Sequence, residues 1–88
     1  MLPIDYTRAF KRDFKKQATL ALSRHWIEAL YCLCQRQPLP ARYRDHALGG
    51  DWQGFRDCHI EPDLVLIYRQ TEQALELVRI GSHAELFG

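Results

Sequence analysis

The chain has 88 residues, a length that makes a single domain with one modest core. Its apolar fraction of 47% is too high for a disordered segment. No apolar run approaches the roughly 18 residues that a membrane span requires. The net charge of +1 hides an uneven distribution: Met1–Arg44 carries nine Lys or Arg against three acids, and Asp45–Gly88 three against eight. A basic half joined to an acidic half can offer one positive face to a polyanion while the sum stays near zero.

In chain order, residues 3–6 form a short strand with Ile4 and Tyr6 on one face. The opening residues have neither the basic flank nor the apolar stretch of a secretion signal, so the cytoplasm is the expected compartment. Thr7 is the N-cap of a helix running to about Gln17, with Phe10 and Phe14 one turn apart on its buried side. Lys11, Arg12, Lys15 and Lys16 fall elsewhere on that helix. A second helix is predicted from Thr19 to Gln37, its stripe made by Leu22, Trp26, Ala29, Leu30 and Leu33, and Pro38 and Pro40 stop it. His25, among aliphatic residues in this helix, is taken as structural. Cys32, Cys34 and Cys58 fit neither a disulfide framework nor a zinc finger and read as small buried hydrophobes.

From Pro38 to Asp51 the chain reads as loop, closed by a Gly49-Gly50-Asp51 turn. Three strands follow. Trp52–Ile60 alternates, with Phe55, Asp57 and His59 on one face and Arg56, Cys58 and Ile60 on the other. Asp63–Arg69 is nearly continuous apolar sequence, the mark of a strand covered on both faces. Ala74–Ile80 places Leu75, Leu77 and Arg79 on one face. Ser82 caps a last short helical turn carrying His83 and Phe87. The expected fold is α+β: two N-terminal helices packed on one face of a small antiparallel sheet, in one domain spanning residues 1–88.

The other sheet face is left for polar residues. His46, His59 and His83 all lie in the second half; His46 follows Asp45, His59 lies between Asp57 and Asp63, and His83 stands five residues from the end. Imidazole gives or takes a proton near neutral pH, so a group of them suits acid–base chemistry if the fold gathers them. Metal-free RNA cleavage needs a base for the ribose 2′-OH, an acid for the departing 5′-oxygen and a cation at the phosphate. Arg56 and Arg79 are the cations this reading selects, and Trp52 and Phe87 the aromatics able to stack on an unpaired base. Zinc ligation by Asp57, His59 and His83 has only composition behind it, because no helical ligand spacing occurs. No metal and no cofactor are therefore expected. The plain alternative is that each imidazole is a hydrogen-bonded surface group without a task.

The run YRDHALGGDWQGFRDCHIEPD from Tyr43 to Asp63, followed by LVLIYRQ and the closing RIGSHAELFG, closely resembles the YafQ family of bacterial toxins in the RelE/ParE superfamily. Over the N-terminal helices the likeness is one of pattern only. The resemblance implies a ribosome-dependent, metal-independent mRNA endonuclease paired with an antitoxin. It implies functional roles for His46, Asp57, His59, Asp63, His83 and Phe87, with Arg79 as a basic residue holding the phosphate. His59 and His83 would share the acid and base roles, in an order the sequence does not fix. Ribosome and mRNA would be the targets, and DNA would be bound only through the antitoxin complex. Basic Lys11, Arg12, Lys15 and Lys16 would suit an acidic antitoxin segment. Two other readings remain: a poison of DNA gyrase without catalysis, as elsewhere in the superfamily, and an inactive domain that only binds the antitoxin.

Overall fold

The computed structural model describes residues 1–88. Five strands form one sheet in the order β1-β5-β4-β3-β2, with β1 Ile4–Tyr6, β2 His46–Ala47, β3 Arg56–Glu61, β4 Leu64–Gln70 and β5 Leu75–Gly81. Neighbours β2 to β5 pair antiparallel, as expected for a chain returning through short turns. The sheet as a whole is mixed, because β1 pairs parallel to β5, with Ile4 opposite Leu75 and Tyr6 opposite Leu77. Between these two strands the chain makes the whole helical layer, the long crossover a parallel pair needs.

Thr7 caps α1 (Arg8–Lys15) as predicted, its side chain accepting from the Phe10 amide at 2.9 Å. The second helix starts later than its apolar stripe suggested. Ala18–Leu22 is a 3₁₀ turn, and Ser23 then caps α2 (Arg24–Cys34) by accepting from the Trp26 amide. The turn places Leu20 in the core and leaves Leu22 at the surface, 88% exposed. Phe10, Phe14 and Trp26 stack together, with ring centroids 5.4 to 6.1 Å apart.

The helices cover one sheet face. Phe10, Trp26, Ala29 and Leu33 pack there on Cys58, Leu66, Tyr68 and Leu77 in a single large cluster. Burying a side chain of this size contributes about 1.5–3 kcal/mol, so this layer holds most of the domain's stability. Cys34 and Cys58 are buried and all three thiols are free; burial pushes both buried thiols above their ordinary range. The opposite face is thinner. There Val65 and Ile67 meet Leu86 of α3 (His83–Phe87) and the half-buried Leu48, Trp52, Phe55 and Val78. The continuous apolar run of β4 follows directly from having cover on both sides.

α3 turns back over the end of β5 through a reciprocal cap: the Glu85 amide donates to the Ser82 side chain and the Ser82 amide to the Glu85 carboxylate. Gly81 permits the approach, since a Cβ there would lie 2.9 Å from Glu85 Oε1. Within α3, His83 and Phe87 are one turn apart and so share a side. No helix is long and apolar enough to cross a membrane.

Candidate active site

The thin face carries the histidines. β2 sets His46 directly opposite Asp57 of β3, and His59, two residues further along β3, points to the same side. The short α3 then brings His83 over the end of the sheet. The rings of His46 and His59 are 6.5 Å apart, those of His59 and His83 5.0 Å, and those of His83 and Phe87 6.4 Å. Segments up to 37 residues distant in sequence thus form one row of three imidazoles ending in an exposed phenyl ring.

Each member of the row is held differently. His83 Nδ1 lies 2.7 Å from Asp63 Oδ1, and the same oxygen accepts the His83 backbone N–H at 2.9 Å. These two hydrogen bonds hold the Asp63 carboxyl below its ordinary range. Being ionised, Asp63 can only accept, so Nδ1 of His83 carries a proton and Nε2 is left free. His46 Nδ1 is 3.0 Å from the Arg44 carbonyl, which likewise requires a proton on Nδ1. His59 has no side-chain partner. Partial burial lowers its pKa, helped by neighbouring His83, Arg44 and His46 and opposed by Asp57, which favours the neutral ring.

Asp57 lies beneath the row, 2% exposed. Burial pushes its pKa up, against the attraction of His46, His59 and His83. Its Oδ1 is 2.9 Å from His46 Nδ1 yet accepts no hydrogen bond, because that N–H is aimed at the Arg44 carbonyl. An unsatisfied buried carboxylate oxygen costs stability, and such groups concentrate where chemistry is done.

The chain aligns over residues 2–88 with the family described as bacterial toxin of type II toxin-antitoxin system, YafQ. The chain belongs to the YafQ toxin family. The mRNA interferase toxin YafQ of Escherichia coli K12 is 43% identical over 91 residues, covering 97% of this chain and 95% of that protein. In the crystal structure of the E. coli DinJ–YafQ complex, the matched chain superposes with a TM-score of 0.85 at 38% identity over the full length of both chains. A copper-bound L66S mutant toxin from Helicobacter pylori gives 0.90 at 39% identity, over 99% of this chain and all of that one. In the present member no group of three or more His, Cys, Asp or Glu is arranged to hold a metal ion.

Within this YafQ-family toxin the remaining residues singled out from sequence are placed less uniformly. Arg79 does not reach the row. Val78 is an extra residue between the pairs Tyr68–Leu77 and Ile67–Arg79, and this bulge breaks the alternation expected for Leu75, Leu77 and Arg79. The Arg79 guanidinium instead grips Asp13 of α1 through two hydrogen bonds of 2.6 and 3.2 Å. Arg56 is engaged as well, donating to both oxygens of Asp45 on the helix side of the sheet, where Tyr68 O–H also donates to Asp45. Trp52 packs edge-on against Phe55 in the smaller core cluster and is only half exposed. Lys11, Arg12, Lys15 and Lys16 form an exposed basic surface on α1 and the residue that caps it.

Two residues at the site escaped the sequence. Arg44 lines the cleft beside His59 and His83, forms no ion pair, and sits in a left-handed backbone conformation at φ 48°. Its signal was position, two residues before His46. His25, taken as structural, is not in the core: its ring lines the same cleft and meets Glu61 at 2.7 Å. Helical periodicity gives no hint of this, because it reports the buried stripe and not what stands beside it.

Proposed function

We propose that this toxin cleaves mRNA on the ribosome through His59 as general base and His83 as general acid, without a metal. Endoribonuclease is the class in which its mRNA interferase relatives are named, and the row of imidazoles supplies the groups such a reaction needs. The observation that carries the reading is the asymmetry of the central pair. His59 is unpartnered, with burial favouring the neutral ring that can accept a proton, while His83 is anchored on Asp63 with one nitrogen free.

His59 takes the proton of a ribose 2′-OH, and the freed oxygen attacks the adjacent phosphorus. The bond from phosphorus to the 5′-oxygen breaks, and His83, carrying protons on both nitrogens, delivers that on Nε2 to the leaving oxygen. The products are a 2′,3′-cyclic phosphate and a 5′-hydroxyl. Positioned acid–base groups of this kind typically contribute about 10²–10⁴-fold each. Arg44 takes the part expected of Arg79 and offers its fork of donors to the phosphate oxygens. His46 contacts the same phosphate from the other side of His59. Asp57 holds positive charge on the row as protons move, and Phe87 stacks on a neighbouring base.

A cognate antitoxin is the partner, as in the DinJ–YafQ complex, with the basic α1 surface receiving an acidic segment. DNA is then bound by the complex through the antitoxin. The test is a defined transcript incubated with the toxin in a purified translation system, with and without ribosomes. Cleavage confined to the sample with ribosomes is expected; equal cleavage of the naked transcript would remove ribosome dependence from the reading.

A further inference from the structure

The cleft does not end at the central imidazoles. It runs past Pro62 to a wall made by His25, Tyr43 and Glu61, in one cavity of about 460 Å³ that also includes Arg44, His59 and His83. Small-ligand sites span roughly 300–1,000 Å³. The volume of this cleft is in the range that takes a single small ligand such as one nucleotide. Phe87 does not line it, so the wall lies on a different flank from the stacking ring.

His25 is set into this wall by its place on α2 and by two ring contacts. It stands in the first turn of α2, where Ser23 fixes the start of the helix. Glu61, just past an irregularity in β3–β4 pairing between His59 and Glu61, reaches it with Oε2 2.7 Å from Nδ1. Tyr43 supports the ring edge-on at 6.2 Å and 83°, and is itself buried with its O–H donating to Glu28 at 2.6 Å. A carboxylate on Nδ1 selects the tautomer and leaves Nε2 as the ring's free nitrogen. Ring plane, tautomer and free edge are therefore all determined, although the side chain is 39% exposed and adds little to the core.

We propose that this wall is a second nucleotide subsite, in which Nε2 of His25 hydrogen-bonds the base on the far flank of the scissile phosphate from Phe87. Arg44 lines the same cleft. The subsite deepens the nuclease reading and rests on it. His25 is then a specificity residue: it selects which linkage lies between His59 and His83, and takes no proton in the reaction.

The experiment compares wild type, His25→Ala, His25→Gln and Glu61→Gln on one defined transcript under translation, reading cut positions by primer extension and separating kcat from KM. For His25→Ala, KM at the preferred position is expected to rise about tenfold with kcat within about twofold, and cuts spread to positions the wild type spares. Glu61→Gln shifts in the same sense but less, and His25→Gln restores part of the preference through its amide edge. His25→Ala and Glu61→Gln both keeping the wild-type positions and KM would overturn the subsite while leaving the nuclease intact. Absence of cleavage by the wild type would overturn the reading beneath it.

Discussion

Asp13 and Asp57 are the two buried charged residues of this domain, and they are handled in opposite ways. Asp13 accepts two hydrogen bonds from Arg79 and a third from the Ile80 amide. Although burial pushes its pKa up, these bonds and the charges of Arg79 and Arg12 outweigh it and hold the carboxyl below its ordinary range. Asp57 accepts nothing at Oδ1, and burial leaves its pKa raised. The first carboxylate ties α1 to β5 across 66 residues of sequence. The second is left in deficit under three imidazoles. One carboxylate is fully satisfied by its neighbours, and the other is not.

That contrast can be broken most forcefully at His59. His59→Ala is expected to lower cleavage about 10²–10⁴-fold while the unfolding midpoint in urea barely moves, since the ring has no hydrogen-bonded partner to leave unpaired. A variant that lost both together would mean the row is structural. Asp13→Ala should do the reverse. It strands the Arg79 guanidinium, and breaking a buried pair costs about 3–5 kcal/mol. With Arg79 28% exposed, the lower end of that range is expected in urea unfolding, and the remaining folded protein should cleave normally.

Smaller, but sharper, is Asp57→Asn. Removing an ill-satisfied charge is predicted to leave stability unchanged or raise it by about 1 kcal/mol while cleavage falls. Marked destabilisation would show that Asp57 is a structural carboxylate like Asp13. The finest test is the dependence of stability on pH. The depressed pKa of Asp13 gives stability that is present above the unfolded value of about 3.9 and lost as pH falls through the folded one. The raised pKa of Asp57 acts the other way: its penalty is felt at neutral pH and relieved as pH falls through its folded value. On acidification Asp13→Asn should therefore lose less stability than the wild type, and Asp57→Asn more. Thermal melts in a pH series would read both slopes.

The contrast also explains which features the sequence disclosed. The helix cap at Thr7, the proline stop after α2 and the doubly covered β4 are local chemistry, written in consecutive residues. The candidate row was traceable because side chains of one type recurred beside carboxylates and within recognisable motifs. What stayed hidden was long-range. Nothing in the first six residues announces that β1 joins β5 in parallel, and nothing near Arg79 announces Asp13. The start of α2 was misplaced because the apolar residues of the 3₁₀ turn continue the helical stripe, and only Ser23 marks the break. Arg56 and Arg79 looked like free cations because their acceptors lie 11 and 66 residues away. Arg44, with no carboxylate in reach, was the one available at the cleft.

The central claim, that His59 and His83 pass protons around a ribose–phosphate linkage, is tested most directly by the chemistry of the cut ends. RNA recovered after toxin action during translation should carry 2′,3′-cyclic phosphate or 3′-phosphate ends with 5′-hydroxyls, and His83→Ala should yield almost none. Fragments with 3′-hydroxyl and 5′-phosphate ends, or undiminished cutting by His83→Ala, would contradict it.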